Sequence, residues 1–170
     1  ELFDFIENNI NQRNGNTLSL TTSMWLYADE KIIETIPHKN KVPEESVKPL
    51  DINSEGEYEY LGKILSIEKY QENQLFIFPD STSNFAYVDL SGVTFPLTIR
   101  TRKDGDMITP FGMNGSMKLK KFFNSKGVNR HKRDEIILIT QENEVLWAAG
   151  VGLSNKIAVQ TTPTHIIEIK

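Results

Sequence analysis

Ten Lys and Arg side chains fall between Arg100 and Arg133, in the stretch RTRKDGDMITPFGMNGSMKLKKFFNSKGVNRHKR. They are Arg100, Arg102, Lys103, Lys118, Lys120, Lys121, Lys126, Arg130, Lys132 and Arg133, with His131 among them. Asp104 and Asp106 are the acids that oppose them, so ten charges less two leave a formal +8 in a chain whose total is −4. The chemistry such a stretch supports is the holding of anionic oxygens. A guanidinium fork meets two phosphate or carboxylate oxygens at once, and an ammonium adds a point charge on a flexible stem. One sign of charge gathered so densely is the footprint expected for a phosphate-rich partner.

The spacing sorts these residues onto elements. Phe95 to Arg102 reads as a strand, with Leu97, Ile99 and Thr101 on one face and Thr98, Arg100 and Arg102 on the other. Asp104-Gly105-Asp106 is a turn whose acids are placed to restrain Arg102 or Lys103. Pro110 to Gly115 is a loop punctuated by glycine. Ser116 is expected to cap a helix running to about Ser125, with Gly127 as its stop. Leu119, Phe122 and Phe123 form the apolar stripe of that helix, and Lys118 and Lys121 share a side away from it, with Lys120 nearby. Asn129 to Asp134 reads as a capped single turn rich in cations. Gly112 and Gly115 do not meet the G-x-x-x-x-G-K-[ST] spacing of a nucleotide P-loop.

No catalytic group stands out. Ser154, His165 and an aspartate lack any spacing that supports a triad. Glu44, Glu45 and Asp51 lack the glycine and the closing glutamate of a calcium loop, and His38 is isolated and reads as a surface residue. The expectation is no catalytic residue, no metal site and no cofactor bound by this chain. There are no cysteines, which excludes disulfides and thiolate metal sites and fits a reducing cytoplasm. No run of about 18 apolar residues occurs, so no segment is long enough to cross a membrane as a helix. The chain begins at Glu1 without a charged-then-apolar leader, and Glu1 reads as a cut inside a longer protein.

The elements that must position the basic stretch follow from the rest of the chain. Residues 1–95 hold 16 acids and 7 Lys/Arg, a balance of −9, whereas residues 96–170 hold 12 Lys/Arg and 7 acids, a balance of +5. Leu2, Phe5, Ile6 and Ile10 sit at helical spacing before Asn14-Gly15, the end of a preceding helical element. Leu18–Ser23, Met24–Ala28 and Lys31–Ile36 read as strands, Trp25 being half-buried. Residues 37–56, with three prolines, read as a long connection. Tyr58 to Tyr70 is a hairpin turning at Leu61-Gly62. Leu75–Phe78, Phe85–Val88, Ile136–Thr140, Val145–Ala149, Lys156–Val159 and His165–Ile169 supply further short strands, with Trp147 in the core. The expected class is α+β, mainly antiparallel β with short helices, in two small β-rich subdomains. The expected division is a helical end at 1–14, an acidic β-rich subdomain at 15–95 and a basic subdomain at 96–170.

From Pro96 onward the residues resemble the C-terminal substrate-binding domain of bacterial tRNA(Ile)-lysidine synthetase. The resemblance rests on Pro96-Leu97, Arg100, Arg102, Gly105-Asp106, Pro110, Gly112, Gly115, Lys118, Lys120, Phe122, Arg133-Asp134, Trp147 and Gly150-Val151-Gly152. Met107 departs from it, standing where the family often has a basic residue. The resemblance implies a cytoplasmic parent that joins lysine, with ATP and Mg, to the wobble cytidine of an isoleucine tRNA with a CAU anticodon. It implies that this end grips the tRNA acceptor stem, and it allows a homodimer of the parent. The S-G-G-x-D-S motif of the family's catalytic domain is absent from this sequence, so the fragment is expected to be silent alone. On this reading the tRNA-binding residues are Arg100, Arg102, Lys103, Lys118, Lys120, Lys121, Arg130, His131, Lys132 and Arg133. Two other readings stand beside it, a protein-docking module and a generic RNA-binding β domain.

Overall fold

The computed structural model describes residues 1–12, 15–22, 24–28, 32–37, 48–72 and 76–170. His38, Glu44 and Glu45 lie outside them, as does Leu75. The fold is α+β, built mainly from antiparallel strands with few short helices. Helix α1 (Leu2–Asn9) leads into a three-stranded sheet of β1 (Asn16–Ser19), β2 (Met24–Ala28) and β3 (Ile33–Pro37), in that order. The Asn16 side-chain amide donates to Asn9 Oδ1 at 2.6 Å and ties the helix to the sheet. Trp25 is half-buried, as its strand position leads one to expect.

The second sheet has seven strands. They are β4 (Leu50–Ile52), β8 (Leu97–Arg100), β9 (Met107–Ile108), β10 (Met117–Lys118), β11 (Leu138–Gln141), β12 (Glu144–Ala148) and β13 (Gly152–Leu153). The third has four, in the order β5 (Gly56–Tyr60), β6 (Lys63–Lys69), β14 (His165–Ile169) and β7 (Phe85–Val88). The β5–β6 turn has positive φ at both Leu61 and Gly62, the conformation that matches the twist of a tight hairpin. Helix α2 (Leu119–Ser125) completes the set.

Two apolar clusters hold the second sheet between them. On one side Leu97, Ile99, Ile139, Leu146 and Trp147 meet Leu65, Ile67, Val88, Ile167 and Ile169 of the third sheet. On the other, Leu138, Val145 and Ala148 meet Leu119, Phe122 and Phe123 of α2. A sheet buried on both faces demands a continuous apolar run rather than alternation, which is why Ile136–Ile139 and Val145–Ala148 contain no charge. The ladder slips between Ile139 and Thr140, where Trp147 and Val145 are the successive partners and Leu146 is left over. That bulge is why Leu146 and Trp147, though adjacent, both enter the first cluster.

Several local expectations change. The division near residue 95 does not coincide with the sheets. Leu50–Ile52 pairs with Leu97–Ile99, and His165–Ile169 pairs with both Lys63–Lys69 and Phe85–Val88. Ser116 does not cap α2, because Met117 and Lys118 are held extended against Ile108 and Met107, and the helix starts at Leu119. Its end is as expected: Gly127 has φ +67, and the N–H groups of Gly127 and Val128 donate to Asn124 O and Phe123 O at 3.1 and 2.9 Å. Residues 155–157 form a 3₁₀ turn rather than a strand, since Ser154 Oγ accepts from Lys156 N–H at 3.2 Å. Phe76 to Phe78 lies outside any strand.

Candidate nucleic-acid interface

Arg100 ends β8, and its guanidinium turns inward. Nη1 and Nη2 donate to Asp106 Oδ2 and Oδ1 at 2.9 and 2.8 Å. Further donations reach Thr101 O at 3.0 Å and Glu142 O at 3.2 Å. Arg100 is 4% exposed and Asp106 is 3% exposed. An expected phosphate contact is thus a structural clamp, because both faces of this sheet are covered and its second face receives Arg100. Asp106 spends its remaining capacity on the loop. Its Oδ2 accepts from Lys103 N–H at 2.8 Å, and its carbonyl accepts from Leu119 N–H at 2.9 Å. The pair therefore fixes the Lys103 backbone on one side and the start of α2 on the other.

What it fixes is a cationic cleft. An open cleft of about 240 Å³ is lined by Arg102, Lys103, Asp104, Gly105, Asp106, Lys118, Leu119 and Lys120. Lys103, Lys118 and Lys120 are exposed; Arg102 is half-buried, its Nε donating to Asp134 Oδ1 at 2.6 Å. Asp106 is already neutralised by Arg100, so Asp104 is the acid that faces three lysines and an arginine. Gly105, with φ +93, occupies the left-handed conformation that this turn requires. Lys121, Lys126, Arg130 and Lys132 are exposed beyond the cleft. Lys126 lies 5.8 Å from the centroid of Phe122.

Two further expected contacts face inward. Arg133 is 3% exposed and donates from Nε and Nη2 to Val128 O at 2.9 and 2.6 Å. Burial, with Arg130 and Arg102 nearby, pulls its pKa below the usual arginine value. It sits over the Phe123 ring and stitches the 3₁₀ turn Arg130–Glu135 to the end of α2. His131 places Nε2 3.0 Å from Glu34 Oε1 and its ring edge-on to Tyr27, with centroids 4.5 Å apart. It joins the turn to the three-stranded sheet, forming an ion pair when protonated. Sequence reasoning misses Glu34, because no local pattern links β3 to a turn almost a hundred residues away.

Other polar sites offer little chemistry. A cleft of about 470 Å³ is lined by Met107, Ser116, Gln141, Glu142, Asn143, Glu144 and Lys156, and Lys156 is ion-paired with Glu144. Ser154 Oγ donates to Thr109 O at 3.2 Å, whereas His165 meets Thr164 Oγ1 at 2.9 Å and Glu55 Oε1 at 3.3 Å. Among the described residues no group of three or more His, Asp or Glu side chains is placed to hold a metal ion. No described helix is long and apolar enough to cross a membrane.

Residues 97–168, which include every cation of the cleft, match the protein family described as TilS substrate C-terminal domain. Over that stretch the chain is similar to that family. The TilS C-terminal domain is also the fold: a solved structure titled "Crystal structure of TILS C-terminal domain" superposes with a TM-score of 0.55 at 21% identity, covering 72% of this chain and 97% of its own. The tRNA(Ile)-lysidine synthase of Clostridium tetani is 37% identical over 84 residues, 49% of this chain and 18% of that protein. The Bacillus subtilis tRNA(Ile)-lysidine synthase is 47% identical over 63 residues, 36% of this chain and 13% of that protein. The chain therefore spans roughly a fifth or less of the curated relatives named here, and what it shares with them is the TilS C-terminal domain.

Proposed function

We propose that this chain is the tRNA-gripping part of a tRNA(Ile)-lysidine synthase. The parent would be a cytoplasmic, ATP- and Mg-dependent ligase that attaches lysine to the wobble cytidine of tRNA(Ile) with a CAU anticodon. The fragment would hold the acceptor stem and carry no catalysis of its own. One observation carries the reading. Lys103, Lys118, Lys120 and Arg102 converge on one cleft inside the segment that matches the TilS C-terminal domain. A-form RNA hides the base edges of its major groove, so a protein grips such a stem by phosphates and 2′-hydroxyls. Phosphate contacts set register and orientation rather than sequence. The cleft supplies donors suited to that task, with Lys121, Arg130 and Lys132 extending the track.

The test is binding of this chain to tRNA(Ile) transcripts across a salt series. Contact with roughly 4–6 phosphates gives a log–log slope on the order of −3 to −5. Preference for tRNA over a random duplex supports the acceptor-stem role. Absence of binding by folded protein at low salt overturns it.

A protein-docking reading draws on a different face. Tyr70, Phe76, Phe78, Phe85 and Tyr87 form a chain of ring contacts beside the third sheet, with centroids 5.2 to 6.3 Å apart. Ile77 and Phe78 within it are exposed.

A further inference from the structure

The loop between β9 and β10 holds two large apolar side chains in water. Phe111 is 65% exposed and Met113 is 45% exposed. A single exposed apolar residue is ordinary. Here the backbone that carries the pair is fixed at several points. Phe111 N–H donates to Leu153 O at 3.0 Å, and Met113 N–H donates to Pro110 O at 2.9 Å. Gly112 N–H donates to Asn155 Oδ1 at 3.3 Å. The root of the loop is held as well, since Thr109 O accepts from Asn155 N–H at 2.7 Å and from the Ser154 hydroxyl at 3.2 Å. Gly112 turns the chain with φ +78, a conformation that a side chain there would strain.

The electrostatic setting chooses the partner. No acidic residue occurs from Met107 to Arg133, and the loop returns directly into Lys118 and Lys120 of the cleft. An exposed aromatic on an anchored loop, joined through β9 and β10 to the residues that line the cationic cleft, suits a polyanion that carries flat rings, because every nucleobase offers a π-face and stacking does not depend on sequence. Met113, two residues on in the same loop, is a second exposed apolar side chain and carries a polarisable thioether. A protein partner would have to bring carboxylates to satisfy the lysines and apolar groups to cover the loop.

We infer that Phe111, supported by Met113, is a stacking contact for an unpaired base of the RNA whose phosphates the cleft lysines hold. This rests on the RNA-binding reading above and names the part of the RNA that reaches beyond the duplex. With the loop backbone already held, stacking has only the ring's side-chain torsions left to order. Phosphates in the cleft would then set where the duplex lies, and Phe111 would receive the base that leaves its end.

The test uses the 170-residue chain and two RNA hairpins with the same stem, one blunt and one with a single-stranded 3′ extension carrying 2-aminopurine. Phe111→Ala is expected to weaken binding of the extended RNA about tenfold, to leave the blunt RNA unchanged and to abolish the stacking-dependent quenching of 2-aminopurine. The salt slope stays the same because every phosphate remains engaged. Phe111→Trp restores affinity and quenching. Lys118→Ala/Lys120→Ala weakens both RNAs and flattens the slope. If Phe111→Ala leaves both RNAs unaffected, or weakens them equally, while the lysine variant acts as expected, the stacking contact is wrong and the RNA reading stands. If folded wild-type chain binds neither RNA at low salt, both fail, and the loop with its lysines is left as a surface for protein.

Discussion

The guanidinium of Arg100 and the carboxylate of Asp106 meet through two parallel hydrogen bonds of 2.9 and 2.8 Å, with both side chains out of water. Breaking such a pair from one side leaves an uncompensated charge in the interior. Arg100→Ala is expected to cost about 3–5 kcal/mol, measured by urea denaturation. Replacing both members with apolar residues, as in Arg100→Met/Asp106→Leu, removes the orphaned charge and is expected to recover much of that loss. A single-variant cost below about 1 kcal/mol would mean that the clamp is not what holds the loop.

Lys103, Lys118 and Lys120 are the exposed counterparts of that buried pair. Changing all three to Ala is expected to make the salt slope of RNA binding shallower by about 2–3, close to one unit for each phosphate that is no longer engaged. Thermal stability is expected to change by little, because the three side chains are exposed and none has a strong ion-pair partner to lose. An unchanged slope in this variant would place the RNA elsewhere on the protein.

Gly152 tests the packing under the cleft. A Cβ built there would sit 2.9 Å from Phe122 Cζ, the far edge of a rigid ring buried between α2 and the second sheet. Gly152→Ala is expected to destabilise by about 1–3 kcal/mol, as overpacking usually does. Adding Phe122→Leu shortens the side chain at the point of contact, so the double variant should lose less than the two single costs added together. Strict additivity would show that the two positions do not share the strain.

Asp89 carries a pH signature. The Ser91 hydroxyl and amide hydrogen-bond to its carboxylate, the amide at 2.9 Å, and hold its pKa below the usual 3.8. A depressed carboxyl contributes stability that is fully present above the unfolded-state value and is lost as pH falls through the folded-state value. The loss is therefore confined to pH below about 4. Ser91→Ala is expected to move the Asp89 carboxyl up toward the ordinary value, read by carbon NMR titration. No movement would show that the Ser91 hydroxyl does not carry the depression and would leave it to the amide, Thr164 and His165.

Much of the scaffold is legible in the sequence because its signals are local. Leu61-Gly62 forms the turn it spells, Gly127 stops α2, and the apolar stripe of Leu119, Phe122 and Phe123 faces inward. Arg100 departs from its sequence reading for a physical reason. Alternation along β8 assigns Arg100 to the face opposite Leu97 and Ile99, and that face is solvent only if nothing covers it. Here α2 and the loop to Asp106 cover it, and a cover supplied by later sequence is invisible in a strand's own pattern. Arg133 and His131 depart in the same way, since their partners, Val128 O and Glu34, are fixed by how the turn packs rather than by spacing. Of the cations that do remain on the surface, Lys103 stands in a turn, Lys118 at the end of β10 and Lys120 on the short helix α2.

The place of β14 has a consequence for synthesis. Residues 165–169 lie between β6 and β7, so β14, which follows all the other described strands in the chain, is an interior strand of the third sheet. While the ribosome still holds that segment, β6 and β7 have no partner between them and present bare N–H and C=O groups to the cell. The sheet closes only after Ile169 has emerged. A product released early, lacking these few residues, would keep the whole cationic stretch yet have its first core cluster open. Such a chain would expose apolar surface and two unpaired strand edges, the features that promote edge-to-edge association.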